Sequence, residues 1–320
     1  MFRLLYEFIE SFRIAFAQIR ANAMRSVLTA LGVIIGIVAV TLMGTAINGI
    51  DRGFDNSLAM LGDDVLYVQK WPWRNVEDWW NYRNRPTIMP NQAEALNRVI
   101  ANTSNSLLEI AVPVVASGVN IKAGSQQVSG VFVFGTTHSY SRLMSADFKG
   151  GRLFNETESA GGRQVAVLGY DVAEALFPSR PALDQTILIK GQPFTVVGVL
   201  AKQGSFLGLF SFDSQVILTL NAYRKYFGVN RNNAQLRVKV KDKTRMAEAS
   251  DELIGSMRRV RGQLPGERDN FSINQQQAFK DQLDPIKKGI AMAGLFITGL
   301  SLFVGAIGIM NITFVSVKER

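Results

Sequence analysis

The chain has 320 residues, 47% hydrophobic and 19% charged, with 35 Lys and Arg against 26 Asp and Glu, one histidine and no cysteine. The absence of thiols excludes disulfide stapling and thiolate chemistry, and a lone histidine without Cys or His partners excludes a zinc-type centre. The net charge of +9 does not mark a nucleic-acid binder, because 29 of the basic residues, set against 23 acidic ones, fall in a segment predicted to lie outside the cell.

In residues 1–25, Leu5, Phe8, Ile9, Phe12, Phe16 and Ile19 recur at three- and four-residue steps, with Arg3, Glu7, Glu10 and Arg13 interleaved. This spacing predicts an amphipathic helix lying in the inner membrane interface. Residues 26–50 then hold no charge for 25 positions, and 289–317 hold none for 29; roughly 20 apolar residues suffice to cross a bilayer core. Each run is read as a transmembrane helix. A cleaved signal is not expected, because 25 residues precede the first run. Arg3, Arg13, Arg20 and Arg25 outnumber Glu7 and Glu10 ahead of that span, and Asp51, Asp55, Asp63 and Asp64 surround Arg52 behind it. The N-terminus is therefore inside, the segment 51–288 outside, and Lys318 and Arg320 inside again. Lys287 and Lys288 run against this rule, whose force weakens next to a long translocated domain.

Between the spans, alternation and turn signals predict strands at 65–69, 107–116, 128–134, 164–168, 186–190, 194–200 and 235–241. Helices are expected at 90–101, 171–177 (stopped by Pro178), 222–227 and 246–260, and a stalk helix from near Gln275 to 288, running into the second span. The fold class is thus an α+β membrane protein: an N-terminal interfacial helix, then two transmembrane helices flanking a large mixed α/β domain. Trp71, Trp73, Trp79 and Trp80 cluster in one stretch that suits a partner or membrane-interface contact, and equally a loop folded over its own sheet. Arg237, Lys239, Lys241 and Lys243 alternate with apolar residues, either as a docking face for anionic headgroups or an acidic partner, or as a solvated sheet face.

No Gly-x-x-x-x-Gly-Lys-Ser/Thr occurs, so these residues cannot build a P-loop. His138 is expected on a surface or turn, and the acidic pairs Asp63–Asp64 and Glu156/Glu158 are ordinary loop features. No catalytic, cofactor-binding or metal residue is assigned, and the chain is not expected to be an enzyme by itself. In the spans, Gly32 and Gly36 stand one turn apart, as do Ser301 and Gly305, with Gly294 and Gly308 nearby; such small residues let helices approach closely in lipid. Neither span holds an ionisable residue that would mark an ion pathway.

The stretch Ala21-Asn22-Ala23-Met24-Arg25-Ser26-Val27-Leu28-Thr29-Ala30-Leu31-Gly32, continuing to Gly36, resembles the first-span signature of MacB/FtsX-type ABC transporter permeases. Gly308-Ile309-Met310-Asn311-Ile312 with Val315-Ser316-Val317-Lys318-Glu319-Arg320 resembles the end of their second span. Gly151-Arg152-Leu153-Phe154, the run 164–169, and Gln192-Pro193-Phe194-Thr195-Val196-Val197-Gly198-Val199-Leu200 resemble the MacB-like periplasmic core domain. The resemblance implies a porter-like subdomain at 51–116 and 230–281 and a sabre-like one at 117–229. It also implies an inner-membrane location, a cytoplasmic coupling end at Val317, Lys318, Glu319 and Arg320, and export by mechanotransmission.

Its implied partners are a cytoplasmic ATPase subunit carrying ATP and Mg, a second permease copy or homologue, a periplasmic adaptor and an outer-membrane channel. A lipoprotein-release permease and an FtsX-like scaffold activating cell-wall hydrolases share the architecture. Family members have four spans, so a truncation at Arg320 is expected, with no stimulation of a partner ATPase by these residues alone.

Overall fold

The computed structural model describes residues 2–21, 23–59, 62–73, 76–144, 147–206, 210–228 and 234–318. Asn22 of the first-span signature, the 229/230 subdomain boundary, and Glu319 and Arg320 of the expected coupling end lie outside them. Helices α1 (Phe2–Ala21) and α2 (Ala23–Ala59) open the chain. Strand β1 (Val65–Gln69), α3 (Trp79–Arg83), α4 (Asn91–Ala101), β2 (Leu108–Ala123) and β3 (Gln126–Thr136) follow. After a 3-10 turn at His138–Arg142 come β4 (Phe148–Gly151), α5 (Glu156–Ala160), β5 (Val165–Leu168), α6 (Tyr170–Leu176), β6 (Thr186–Ile189) and β7 (Gln192–Leu200). The short pair β8 (Ser205–Phe206) and β9 (Phe210–Ser211) leads to β10 (Gln215–Thr219) and α7 (Leu220–Phe227). Then come β11 (Gln235–Val240), α8 (Met246–Val260), β12 (Ser272–Asn274) and α9 (Gln277–Lys318).

The chain divides into two compact units, residues 1–52 with 282–320, and residues 53–281. In the first, α2 and α9 carry windows of mean hydropathy 2.4 and 2.2 at Ala30–Gly53 and Asp284–Ile307. Among the described residues, these are the two helices long and apolar enough to cross a membrane. Both outrun the uncharged segments. Helix α2 continues through Asp51, Arg52 and Asp55 to Ala59. Helix α9 passes through Pro285, which withholds one backbone N–H from the ladder.

In the second unit, ten strands of the described residues form one sheet, ordered β12-β1-β11-β2-β3-β10-β5-β7-β4, with β6 pairing β2 and β7. The long strand β2 serves both halves: residues up to Val114 pair with β11, and those from Val114 onward with β3. Two main apolar clusters sit on this sheet. One joins Leu66, Val68, Leu108, Leu236 and Val238 to Leu96 of α4 and Leu253 of α8, all fully buried. The periodicities explain why: Ala93, Leu96 and Ile100 line one face of α4, and Leu236, Val238 and Val240 alternate along β11. Each fully buried leucine contributes about 2 kcal/mol. The other cluster joins Val133, Leu168, Val196 and Leu218 to Val172 of α6 and Tyr223 of α7.

The expected helix at 246–260 and strand at 65–69 stand where the periodicity places them. Strand β2 runs to Ala123 rather than 116, because β3 pairs with it as far as the turn at Gly124. Helices α3 and α5 and strands β4, β8, β9, β10 and β12 were not among the expected elements.

Candidate functional site

Helix α2 and helix α9 lead into neighbouring strands. Residues 60–64 separate α2 from β1, and residues 275–276 separate β12 from α9. The strands β1 and β12 are antiparallel partners, with Tyr67 opposite Asn274, Val68 opposite Ile273 and Gln69 opposite Ser272. At this pairing the side chains form a satisfied amide network. Asn274, 4% exposed, accepts from the Trp73 backbone N–H at 2.9 Å. Its Nδ2 donates to the Trp71 carbonyl at 2.9 Å and to Gln69 Oε1 at 3.2 Å. Gln69 Oε1 also accepts from the Trp73 indole at 2.7 Å, and Gln69 Nε2 donates to Gln235.

The tryptophans therefore divide. Trp73 folds over its own sheet, its ring 4.8 Å from that of Tyr67, whereas Trp71, Trp79 and Trp80 remain 38%, 52% and 56% exposed. Trp71 stacks on Tyr82, which the Arg85 guanidinium covers at 4.1 Å.

The basic stripe splits: Arg237 and Lys239 are half-buried, whereas Lys241 and Lys243 are exposed. Strand β11 ends at Val240, leaving Lys241 and Lys243 beyond it. The 3-10 turn at 138–142 reaches the remaining charges. Arg237 lies between the rings of Tyr67 and Tyr140, at 5.5 and 5.3 Å, and donates to the Tyr140 hydroxyl at 2.6 Å. Lys239 donates to the Arg142 carbonyl at 2.8 Å, Lys241 to the Ser106 carbonyl at 2.8 Å, and Lys243 pairs with Asp63 at 2.8 Å. Burial pushes the Tyr67 phenol up to about 12, against the opposing pull of Arg237. Neither Tyr140 nor Asn274 carries a local signal, since Tyr140 meets Arg237 across 97 positions and Asn274 meets Gln69 across 205. His138 opens the same 3-10 turn and borders a polar cleft of about 410 Å³ shared with Glu94, Asn97, Glu156, Asn221 and Arg224.

In the helical unit, α2 and α9 meet through small residues. A Cβ on Gly32 would lie 3.4 Å from the Ser301 carbonyl oxygen and 3.7 Å from Gly305 N, and one on Gly36 would lie 3.3 Å from Ser301 Cβ. Gly294 lies against Met43. Gly308 and Val317 lie on α9, and Lys318 is its last residue. Large apolar side chains point outward: Ile37, Leu295 and Phe296 are 62%, 78% and 73% exposed. A water-soluble helix pair places them the other way round. The hydroxyls of Thr41 and Thr45 donate to carbonyls one turn back, at 2.9 and 2.8 Å, as an apolar surrounding demands. Lys287 pairs with Asp51 within this unit, which offsets one of the two cations that ran against the charge rule.

A family model described as the MacB-like periplasmic core domain matches residues 26–255. The chain is 27% identical over 318 residues to the macrolide export ATP-binding/permease protein MacB of Neisseria meningitidis serogroup A, covering 98% of this chain and 46% of that protein. It is 26% identical over 322 residues to the ABC transporter permease YknZ of Bacillus subtilis, covering 98% and 75%. It thus spans about half the length of the MacB relative. The periplasmic region of MacB from Actinobacillus actinomycetemcomitans shares the fold, with a TM-score of 0.56 at 17% identity, over 71% of this chain and 95% of that one. This chain belongs to the MacB/FtsX-type family of ABC transporter permeases, with a MacB-like periplasmic core domain joined to membrane helices.

Proposed function

We propose that the chain is the permease subunit of a MacB-like export complex, converting ATP hydrolysis on a separate ATPase subunit into movement of its periplasmic domain. The observation that carries this reading is the pairing of β1 with β12, because the strands fed by the two spans are hydrogen-bonded neighbours. Sliding one strand against the other would break their shared ladder. While this three-residue edge pairing holds, a displacement of α9 relative to α2 is passed through β1 into the sheet. The cluster around Leu96 and Leu253 belongs to the porter-like part, and that around Val133 and Tyr223 to the sabre-like part. The seam at Gly32, Gly36, Ser301 and Gly305 packs the spans in the bilayer, the N-terminus lies inside, and the α9 end from Val317 couples to the ATPase, which holds ATP and Mg.

A second permease copy completes the membrane part, and an adaptor with an outer-membrane channel continues the route. Substrate is expelled from the periplasm, so uncharged spans suffice. Affinity purification from the native membrane, with mass spectrometry of the captured proteins, tests this. An ATPase with an adaptor or outer-membrane channel is expected. An ATPase captured with a cell-wall hydrolase instead moves the protein to the signalling class.

A further inference from the structure

Where α1 meets α2, Phe16, Ile19, Arg20, Ser26, Val27 and Ala30 border a groove of about 470 Å³. Phe16, Ile19 and Val27 are 63%, 54% and 60% exposed, so none of the described residues covers their apolar surfaces. On α2, Ala23, Val27 and Ala30 share one helical face, and the small alanines make that face concave. Residues 23–30 extend for about 10 Å along the helix. Among the described residues that line the groove, Arg20 is the charged one, Ser26 adds a hydroxyl, and none is acidic. The segment ahead of the span is itself cationic, with Arg3, Arg13, Arg20 and Arg25 against Glu7 and Glu10.

We infer that this groove is a site for an anionic glycerophospholipid, with one acyl chain along Phe16, Ile19, Val27 and Ala30 and the phosphate at Arg20. A peptide occupant is disfavoured: both walls are helices whose backbone groups are already paired, so its own N–H and C=O groups would find few partners. An acyl chain carries no such demand, and the guanidinium favours a phosphate without a compensating ammonium. The inference rests on the reading of α1 and α2 as membrane-embedded.

The test reconstitutes the full chain in phosphatidylcholine vesicles containing a trace of diazirine-tailed phosphatidylglycerol or, separately, diazirine-tailed phosphatidylcholine. Cross-links are mapped by mass spectrometry. Peptides covering residues 16–30 are expected to take about fivefold more label from the phosphatidylglycerol probe at low salt. Arg20→Gln should bring the two probes to parity, whereas Arg13→Gln, outside the groove, should keep the contrast. Parity in the native chain, or a contrast that survives Arg20→Gln, overturns the site. Residues 33–50 provide the separate control. Labelling there by both lipids alongside parity at 16–30 removes only the anionic site; no labelling there by either lipid removes the membrane reading itself.

Discussion

Trp73 donates its backbone N–H to the Asn274 Oδ1 at 2.9 Å, joining residues 201 positions apart. Asn274 is the last residue of β12, so this bond ties the tryptophan segment to the strand that precedes α9. Replacing Asn274 with Leu keeps the branched shape, with bulkier methyl groups, and removes all three side-chain hydrogen bonds. A loss of about 2 kcal/mol is expected in urea unfolding of the chain in mild detergent. A red shift of the tryptophan emission should accompany it. An unchanged midpoint and spectrum would show that the network is incidental.

Tyr67 sets an alkaline limit on stability. Its phenol titrates near 10 when unfolded and at about 12 when folded, because burial disfavours the charged form. The folded state thus holds this proton more tightly. Stability is complete below pH ~10 and falls between there and ~12 by about 1.4 kcal/mol per unit. Tyr67→Phe should flatten that fall relative to the native chain; an identical slope in both would rule out Tyr67 as its source.

Glu158 acts at the other end of the scale. Its carboxylate takes two hydrogen bonds from Arg152, at 2.8 and 3.0 Å, and one from the Asn155 backbone at 2.8 Å, closing a capping box on α5. The Arg152 guanidinium, ahead of the Asn155 N–H, holds its pKa below the usual carboxylate range. This contribution is present above the unfolded value of about 4.3 and is lost as pH falls through the lower folded value. Glu158→Gln should cost about 2 kcal/mol at neutral pH and weaken the acid dependence below pH ~4. Thermal melts across that range check both.

Orientation is open to a direct test, because the chain has no cysteine. Ser125 is exposed in the turn between β2 and β3, and Ser11 is exposed on α1. Ser125→Cys should react with an impermeant thiol reagent in intact spheroplasts, and Ser11→Cys only after lysis. The reverse pattern would invert the topology.

What the sequence made legible was local. Uncharged runs mark α2 and α9 because transfer into hydrocarbon is decided by nearby composition, and α8 declares itself through Ala249, Leu253 and Met257 on one face. The small residues of the seam were visible as spacing, and the structure brings Gly32, Gly36, Ser301 and Gly305 together. The polar contacts were not legible. Arg237 meets Tyr140 across 97 residues and Asn274 meets Gln69 across 205. Neither pair has a period, since a single polar contact needs only one residue at each end. The basic stripe was half legible for the same reason: alternation specifies a face, while the partners of Arg237 and Lys239 on it, Tyr140 and Arg142, come from the connection between β3 and β4.

The most direct test of the transmission mechanism is a flexible Gly/Ser insertion between residues 275 and 276, which breaks neither β12 nor α9. In the complex of the full-length permease with its ATPase, fluorophores on Ser125→Cys in two permease copies report the movement of the periplasmic domains by energy transfer. The uninterrupted chain should show an ATP-dependent change in transfer. The insertion variant should hydrolyse ATP at a comparable rate while that change collapses. A full ATP-dependent change in the insertion variant would contradict transmission through the α9–β12 junction.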